Sequence, residues 1–229
     1  MGKVSAGSYD LNTWLFGGYD EDVITTLYGG PGSGKTNFCL LAAVSQAKKD
    51  NKTLFIDTEG GFSVERVKQM AGAQTQEVLK NIILLKPTTF AEQKDAFREL
   101  LKQITKDHFS LIVVDGMTML YRLDFALARE KSPDEMRNIN SELARQMRVL
   151  AEIARKQNIA VLVTNQIYQW DKESKMVAGD VLKYWSKCLI ELVNDDGKRT
   201  AHLRKHRSLP EKKLDFVIVN EGVKKRGWL

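Results

Sequence analysis

Apolar runs that end at a polar or glycine-rich turn are the most regular feature of this chain. The clearest runs are residues 23–28, 53–57, 82–85, 111–115 and 159–164. They do not alternate with polar residues, and segments with apolar residues at helical spacing separate them. Strands of this kind belong to parallel sheets that helices cover on both faces. The pattern predicts an α/β fold with a mostly parallel sheet, and the short strands and turns after about residue 187 predict added antiparallel strands at the C-terminal end.

The chain of 229 residues contains no internal repeat or linker and fits a single domain, 1–229, in which residues 1–22 form a short N-terminal lead-in without globular capacity of its own. No apolar run approaches the roughly 20 residues that span a bilayer, and no signal-peptide pattern begins the chain. Cys39 and Cys188 lie among apolar residues, which is typical of buried thiols in a reducing compartment. We therefore expect a cytoplasmic protein without a membrane partner.

The stretch from Thr26 to Thr36 reads strand, glycine loop, helix and matches the P-loop pattern of Gly, four residues, Gly-Lys-Ser/Thr. Glycines let backbone N–H groups turn inward around phosphate oxygens, and the helix that follows adds the positive end of its dipole. Lys35 can reach the β- and γ-phosphates, and the Thr36 hydroxyl can ligate Mg²⁺. The residues expected to bind ATP in this loop are Gly29, Gly30, Pro31, Gly32, Ser33, Gly34, Lys35 and Thr36.

Polar residues follow three other strands, and ligands in parallel sheets bind at the carboxyl ends of the strands. Asp115 follows four apolar residues in the Walker-B arrangement, and its carboxylate is expected to hold Mg²⁺ together with Thr36. Glu59 can orient the attacking water or accept its proton, although an acid at the start of a helix is the alternative interpretation. Gln166 can sense the γ-phosphate. Lys35, Glu59 and Gln166 are therefore the predicted catalytic residues.

The positive charge is concentrated near the C-terminus. The chain carries +6 overall, whereas residues 198–229 hold ten Lys/Arg and three Asp/Glu, a local +7, so the remainder is near −1. A basic region beside a neutral body suggests an anionic partner such as nucleic acid, and a solvated lysine-rich face is the alternative. Within this region we single out Lys224, Lys225 and Arg226 as DNA-binding candidates.

These motifs, taken in order, resemble RecA-type recombinases. The resemblance is carried by Gly29–Thr36, Ile56–Gly60, Leu111–Asp115 and Val163–Gln166, and it covers nearly the whole chain. It is strongest toward a short archaeal paralogue of that family. The resemblance implies a RecA-like core that binds ATP and Mg²⁺, with Glu59 as the catalytic carboxylate, Asp115 as Walker B and Gln166 as the γ-phosphate sensor.

The resemblance also implies two DNA-facing loops. One follows Asp115, where Arg122 and Arg129 are the candidates for DNA contact, and one spans residues 167–179. The second loop lacks the usual glycine-rich recombinase pattern and offers aromatic and basic side chains instead: Tyr168, Trp170, Lys172 and Lys175. Aromatic rings can stack on bases and lysines can neutralise phosphates, so the loop is a candidate for single-strand contact, with a partly packed loop as the alternative.

Lys205, Arg207 and Pro210 lie in a stretch that resembles the ATP-cap region of the family. In hexameric relatives a Lys-x-Arg pair at this place reaches the γ-phosphate of a neighbouring subunit, which accelerates phosphoryl transfer by several orders of magnitude. Contact with DNA and simple solvation are the two alternatives for this pair.

Three functional hypotheses follow. The first is an ATP-binding, DNA-binding accessory protein of homologous recombination and DNA repair, with weak ATPase activity and ATP as a conformational ligand. The others are a competent strand-exchange recombinase and a motor ATPase of the KaiC or replicative-helicase type. The start of the chain close to the ATPase core and the altered second loop count against strand exchange, and Gly116, where the family usually has Ser, is a further departure. Lys205-x-Arg207 is the feature in favour of the motor. Its expected partners are single-stranded DNA, a RadA-type recombinase or another repair protein, and further copies of itself in a homo-oligomer.

Overall fold

The computed structural model describes residues 2–170 and 173–227, without the side chains of residues 169, 170, 173 and 174. Its first elements are a strand β1 (Lys3–Val4), a helix α1 (Tyr9–Trp14) and a strand β2 (Tyr19–Asp20) that pairs antiparallel with β1. The Ser8 hydroxyl caps α1 by accepting a hydrogen bond from the Leu11 N–H. Apolar side chains of this segment are buried in the main core. The N-terminal lead-in is therefore packed onto the domain.

Five parallel strands form the centre of the sheet: β3 (Ile24–Gly29), β4 (Lys52–Asp57), β5 (Ile82–Leu85), β6 (Phe109–Asp115) and β7 (Ala160–Trp170). Their order across the sheet is β3-β7-β6-β4-β5. Each ends at the same edge of the sheet, because neighbours are parallel and in register from Gly29 opposite Gln166 to Asp57 opposite Asp115. The predicted α/β fold with a mostly parallel central sheet is confirmed.

Seven helices follow these strands in the described part of the chain: α2 (Lys35–Ala47), α3 (Val64–Ala71), α4 (Thr75–Lys80), α5 (Phe90–Lys106), α6 (Met119–Lys131), α7 (Pro133–Gln157) and α8 (Gly179–Trp185). The sheet separates two apolar cores. In β6, Leu111 and Val113 belong to the core beneath α2, whereas Ile112 and Val114 belong to the core beneath α5 and α7. Burial on both faces explains why this strand is apolar throughout.

Four more strands extend the sheet beyond β3: β9 (Ser186–Asp195), β10 (Lys198–Lys205), β11 (Lys212–Val219) and β12 (Gly222–Lys225). β9 is parallel to β3, and β10, β11 and β12 continue the sheet as antiparallel neighbours. The predicted antiparallel C-terminal strands are confirmed. Among the described residues, no helix is both long enough and apolar enough to cross a membrane.

Both segments that were expected to be DNA-facing loops contain regular secondary structure. α6 begins four residues after Asp115 and carries Arg122 and Arg129. After Gln166, β7 continues to residue 170 and pairs antiparallel with β8 (Glu173–Met176), so that Tyr168 lies opposite Lys175. The second segment is thus a β-hairpin that extends from the sheet at its ligand-binding edge, and Lys172 lies outside the described residues.

Candidate nucleotide site

The P-loop leaves β3 at Gly29 and enters α2 at Lys35, as its sequence predicts. Gly29 lies so close to the neighbouring strand β9 that a Cβ built on it would come within 2.0 Å of the Leu192 carbonyl oxygen. Only glycine fits there. On the other side of the loop, the Arg199 Nε donates to the Gly32 carbonyl oxygen at 3.3 Å, so the C-terminal strands also hold the loop.

Lys35 is buried, and its ammonium group is folded back onto its own loop. Nζ donates to the carbonyl oxygens of Gly29 at 3.0 Å and Gly30 at 2.9 Å, and it lies 3.4 Å from Oε1 of Gln166. Burial lowers the pKa of Lys35, and the nearby carboxylates of Glu59 and Asp115 offset only part of that effect. A phosphate at this position would replace carbonyl dipoles with full negative charge, which favours the ammonium form.

Asp115 and Thr36 form the oxygen pair that was predicted to hold Mg²⁺. The Thr36 hydroxyl donates to one Asp115 carboxylate oxygen at 2.7 Å, and the Thr164 hydroxyl donates to the other at 2.6 Å. Burial raises the pKa of Asp115 to about 6, against the lowering effect of these two hydrogen bonds. A carboxylate and a hydroxyl beside a phosphate loop are the ligands that Mg²⁺ takes in nucleotide sites, so the residues present fit that ion.

Glu59 and Gln166 meet across the site from Lys35. The Gln166 side-chain nitrogen lies 3.2 and 3.3 Å from the two oxygens of the Glu59 carboxylate, while its side-chain oxygen faces Lys35. One amide therefore joins the two charged residues. The structure places the three predicted catalytic side chains in one hydrogen-bonded row. Lys35 begins α2, Glu59 follows β4, and Gln166 lies within β7.

The Asp57 carboxylate fixes the segment that carries Glu59. The two oxygens of the Asp57 carboxylate accept hydrogen bonds from the N–H groups of Gly61 at 3.0 Å and Phe62 at 2.9 Å. The Thr58 hydroxyl lies within hydrogen-bond distance of the carbonyl oxygens of Asp115 and Gly116. These bonds fix the segment against the strand that ends in Asp115.

Gly116 has a structural reason to replace the residue that usually follows the Walker-B aspartate. Its φ is +90°, and a Cβ built on it would lie 2.4 Å from the Thr58 hydroxyl oxygen and 2.6 Å from Cγ of Glu59. The backbone of Gly116 therefore approaches the Glu59 segment too closely for any side chain.

Sequence reasoning missed Thr58 and Thr164. Thr164 belongs to the motif that ends in Gln166, but the motif alone assigns it no role. In the structure its hydroxyl donates to Asp115 and accepts from the Gly116 N–H at 2.7 Å. A threonine directly after the apolar run Ala160–Val163 was the available signal, since a buried hydroxyl has to find a partner.

Comparisons with known proteins bear directly on this site. A sequence model of the Rad51 family matches residues 1–226. The chain belongs to the Rad51 family. It is 40% identical over 223 residues to the DNA repair and recombination protein RadB of Methanobrevibacter smithii, an alignment that covers 93% of this chain and 92% of that relative. The RadB protein of Methanocaldococcus jannaschii is 39% identical over 213 residues, which cover 93% of this chain and 98% of that relative.

A solved structure gives the same result. The crystal structure of the RadB recombinase superposes with a TM-score of 0.81 at 36% identity, and the match covers 98% of this chain and 100% of that one. The resemblance to RecA-type recombinases, and to a short archaeal paralogue among them, is confirmed.

In this Rad51-family chain, Lys205 and Arg207 lie far from the P-loop of their own subunit. The Lys205 ammonium donates to the carbonyl oxygens of Lys183 at 3.0 Å and Ser186 at 2.9 Å. Ser186 lies opposite Ile24, the first residue of β3, whereas the P-loop follows the last one. The pair is therefore at the amino-terminal edge of the sheet, and exposed Pro210 lies in the connection that follows it.

Arg207 is engaged inside the chain. Its guanidinium group pairs with Asp20 at 2.9 Å and with Asp22 at 2.8 Å. Lys3 also pairs with Asp20, at 2.6 Å. Burial raises the pKa of Asp20, but the hydrogen bonds and charges of Lys3 and Arg207 outweigh that effect and leave the pKa below its ordinary value. Arg207 thus ties the connection after β10 to the N-terminal segment.

The DNA-binding candidates of the family chain fall into two groups. Arg122 and Arg129 are exposed on α6, and Tyr168 is 40% exposed on the β7–β8 hairpin, all at the edge of the sheet where the nucleotide site lies. Lys175 is on the same hairpin, while the side chain of Trp170 and the whole of Lys172 are outside the described residues. The second group is the basic cluster, defined here as Lys224, Lys225 and Arg226, at the end of the outermost strand β12.

Proposed function

We propose that this protein is an ATP-binding, DNA-binding accessory protein of homologous recombination and DNA repair. In this proposal its ATPase activity is weak, and ATP acts mainly as a conformational ligand. Membership of the Rad51 family and similarity to proteins named for DNA repair and recombination support the biological setting. The arrangement of the site supports the part assigned to ATP.

The observation that carries the proposal is the position of Gln166. Its side chain bridges Lys35 and Glu59, and its backbone belongs to the strand that continues into the β7–β8 hairpin. A γ-phosphate offers acceptors to both Lys35 and the Gln166 amide, so ATP competes with the bonds that hold the row together. Nucleotide binding therefore changes the contacts at the base of the hairpin, and ADP, which has no γ-phosphate, does so less.

Phosphate binding, Mg²⁺ binding and activation of water are assigned to residues of the same site. The P-loop backbone from Gly29 to Gly34 and the Lys35 ammonium would hold the phosphates. Thr36 and Asp115 would hold Mg²⁺, which when bound neutralises phosphate charge. Glu59 would hold the attacking water and accept its proton once Gln166 has released its carboxylate.

The state of Arg207 supports weak hydrolysis. An arginine that a neighbouring subunit supplies to the γ-phosphate accelerates phosphoryl transfer by roughly 10³- to 10⁵-fold. Here two aspartates hold the guanidinium group, and breaking a charge pair that is partly buried is unfavourable. This argues against a finger that acts in trans, and with it against a ring-shaped motor ATPase as the main activity.

DNA is the partner that the exposed basic groups favour. Arg122 and Arg129 on α6 and Tyr168 on the hairpin would contact it near the nucleotide site, and the basic cluster would contact it at the far end of the sheet. We place this activity in the cytoplasm, with a RadA-type recombinase or another repair protein as the protein partner and homo-oligomers as a further assembly.

Hydrogen–deuterium exchange tests the conformational part of the proposal. A non-hydrolysable ATP analogue with Mg²⁺ is expected to protect residues 29–36 and to change exchange in residues 166–179, whereas ADP changes only the first. In Gln166→Ala the P-loop protection stays and the hairpin response is lost. If the wild-type protein binds the analogue with no change at the hairpin, ATP is not a conformational ligand through Gln166. ATPase rates with and without single-stranded DNA complete the test, and a high DNA-independent rate contradicts weak hydrolysis.

A further inference from the structure

We propose that the cleft between α1 and the strands β11 and β12 binds single-stranded nucleic acid. Tyr9 and Phe16 would stack on bases, and Lys213, Lys225 and Arg226 would meet phosphates. This inference rests on the DNA binding proposed above, and it gives that binding a location that is separate from α6 and the β7–β8 hairpin.

The cleft is a distinct feature of the outer edge of the sheet. Its volume is about 820 Å³, and its walls include Tyr9 and Trp14 from α1 and Lys213 and Leu214 from β11. α1 is fixed to the edge strand, because the Asp10 carboxylate accepts a hydrogen bond from the Lys225 N–H at 2.7 Å. The walls are therefore parts of the folded domain, and the cleft needs no rearrangement to exist.

Cations dominate the chemistry that the cleft offers to a ligand. Lys213, Lys225 and Arg226 line it, against two acids, Asp10 and Asp215. Both acids already serve the fold, since Asp10 accepts from the backbone of β12 and Asp215 accepts from the Thr200 hydroxyl at 2.7 Å. Lys213 and Lys225 are exposed. Three cations against two acids leave this lining with a net charge of +1, and Arg226 also donates to the Gly197 carbonyl oxygen at 3.1 Å. Lys213 and Lys225 are therefore the groups best placed to meet an anionic ligand.

Two exposed aromatic rings stand at the ends of α1. Tyr9 is 83% exposed and lines the cleft, and Phe16 is 70% exposed. Phe16 has a φ of +55°, a strained conformation for a bulky residue, and the Lys212 ammonium lies 4.7 Å from the centre of its ring. Lys212 directly precedes Lys213 of the cleft wall. The positive φ belongs to the cap that ends α1, because the Gly17 N–H donates to the Asn12 carbonyl oxygen at 2.7 Å. The exposure of the ring and the lysine beside it are the observations that favour Phe16 as a stacking residue next to the cleft.

The exposed aromatic rings and the cations together favour single-stranded over double-stranded nucleic acid. Unpaired bases expose faces on which aromatic side chains stack, whereas the bases of a duplex are already stacked on one another. A groove with spaced cations follows the backbone, and rings along it take bases with little regard to sequence. Tyr9 in the cleft and Phe16 beside it could not stack on the bases of a regular duplex.

Fluorescence anisotropy with a labelled oligothymidylate and a duplex of equal length tests the proposal on the full chain. Tyr9→Ala and Phe16→Ala should each weaken single-strand binding roughly tenfold without changing its salt slope. Tyr9→Phe keeps the ring and should bind like the wild type. The pair Lys213→Gln and Lys225→Gln should instead lower the salt slope by about 0.7 for each phosphate contact removed.

Tyr184→Ala is the matched control, because this tyrosine is 73% exposed and belongs to α8, outside the cleft. An equal loss of single-strand affinity in Tyr184→Ala, or no loss in the Tyr9 and Phe16 variants, overturns the assignment of binding to the cleft. The proposed DNA binding itself would then still stand. If the wild-type protein binds no oligonucleotide, with or without ATP, the proposed DNA binding fails and the cleft fails with it. Photocrosslinking of a bromodeoxyuridine oligonucleotide to the unaltered chain should mark residues 9–16 and 212–226, and crosslinks elsewhere alone contradict the inference.

Discussion

The side-chain amide of Gln166 lies 3.2 and 3.3 Å from the two carboxylate oxygens of Glu59. The residue expected to sense the γ-phosphate therefore holds the residue expected to act on water. A phosphate that draws the amide away frees the carboxylate in the same step. This relationship links recognition of ATP to readiness for hydrolysis, and it makes the behaviour of Glu59 the first point to test.

Glu59→Gln should retain ATP and lower hydrolysis by roughly 10²- to 10⁴-fold, because an amide cannot accept a proton from water. The measurement is a steady-state ATPase assay beside a nucleotide-binding titration. Glu65→Gln is the control, since Glu65 is an exposed acid in the first turn of α3 and has no part in the site. Undiminished hydrolysis in the Glu59 variant would show that its carboxylate does not act on water. The alternative of an acid at the start of a helix is wrong, because α3 begins only at Val64.

Gly116→Ala should destabilise the fold by roughly 2–4 kcal/mol and lower ATPase activity, because the new Cβ meets Thr58 and Glu59 while the backbone keeps its positive φ. Gly197→Ala separates the effect of the close contact from the effect of the positive φ. Its φ of +83° is similar to the +90° of Gly116, and a Cβ there meets nothing within 4 Å. Chemical denaturation measures both variants, and equal destabilisation would mean that the close approach at Gly116 carries no penalty.

Arg66 connects the segment after Glu59 with the turn between β11 and β12. Nε donates to the Asn37 side chain at 2.7 Å, and the terminal nitrogens reach the carbonyl oxygens of Val219 at 2.8 Å and Asn220 at 3.1 Å. Arg66→Ala should lower stability by about 2–3 kcal/mol, a decrease in melting temperature of roughly 5–10 °C.

Arg98→Ala is the comparison for Arg66, because Arg98 is an exposed residue paired with Asp95 on the surface of α5. Surface pairs of this kind contribute about 0–1 kcal/mol. A melting temperature for Arg66→Ala that matches that of Arg98→Ala would show that the contacts of Arg66 do not stabilise the turn.

Asp20→Asn should change how stability depends on pH. The pKa of Asp20 is lowered in the folded protein, so the native state binds fewer protons than the unfolded chain at acidic pH. Its contribution is complete above the unfolded pKa of about 3.9 and is lost as pH falls through the lower folded pKa. The variant should be less stable by roughly 2–3 kcal/mol at pH 7, and its stability should fall less steeply below about pH 4.

Urea denaturation across pH 3–8 checks the Asp20 prediction. His206 lies 3.4 Å from the same carboxylate, and burial lowers its pKa. Its contribution to stability is complete above the unfolded pKa of about 6.5 and is lost as pH falls below that value, in a pH window above the one of Asp20. A loss of stability confined to that higher window, with parallel curves below pH 4, would assign the effect to His206 rather than to Asp20.

The parallel core could be predicted from the sequence alone, and so could the meeting of the polar residues that follow its strands. Apolar runs and helical spacing are local patterns, and the carboxyl ends of parallel strands meet at one edge of the sheet. Once the runs were recognised, the residues at their ends, Lys35, Glu59, Asp115 and Gln166, had to be neighbours. The same reasoning predicted the antiparallel strands at the C-terminal end of the chain.

The partners of the remaining polar groups could not be predicted from the sequence, because they depend on how distant segments pack. Arg207 pairs with Asp20 and Asp22, although 187 and 185 residues separate them in the chain. Many acids were available to that arginine, and no local pattern distinguishes them. The composition of the chain does not show which polar or glycine residues will be buried at a close contact. The Thr164 hydroxyl and the backbone of Gly116 are two examples. Their roles depend on distances of a few ångströms between separate strands, which are fixed only when the sheet packs between its two cores.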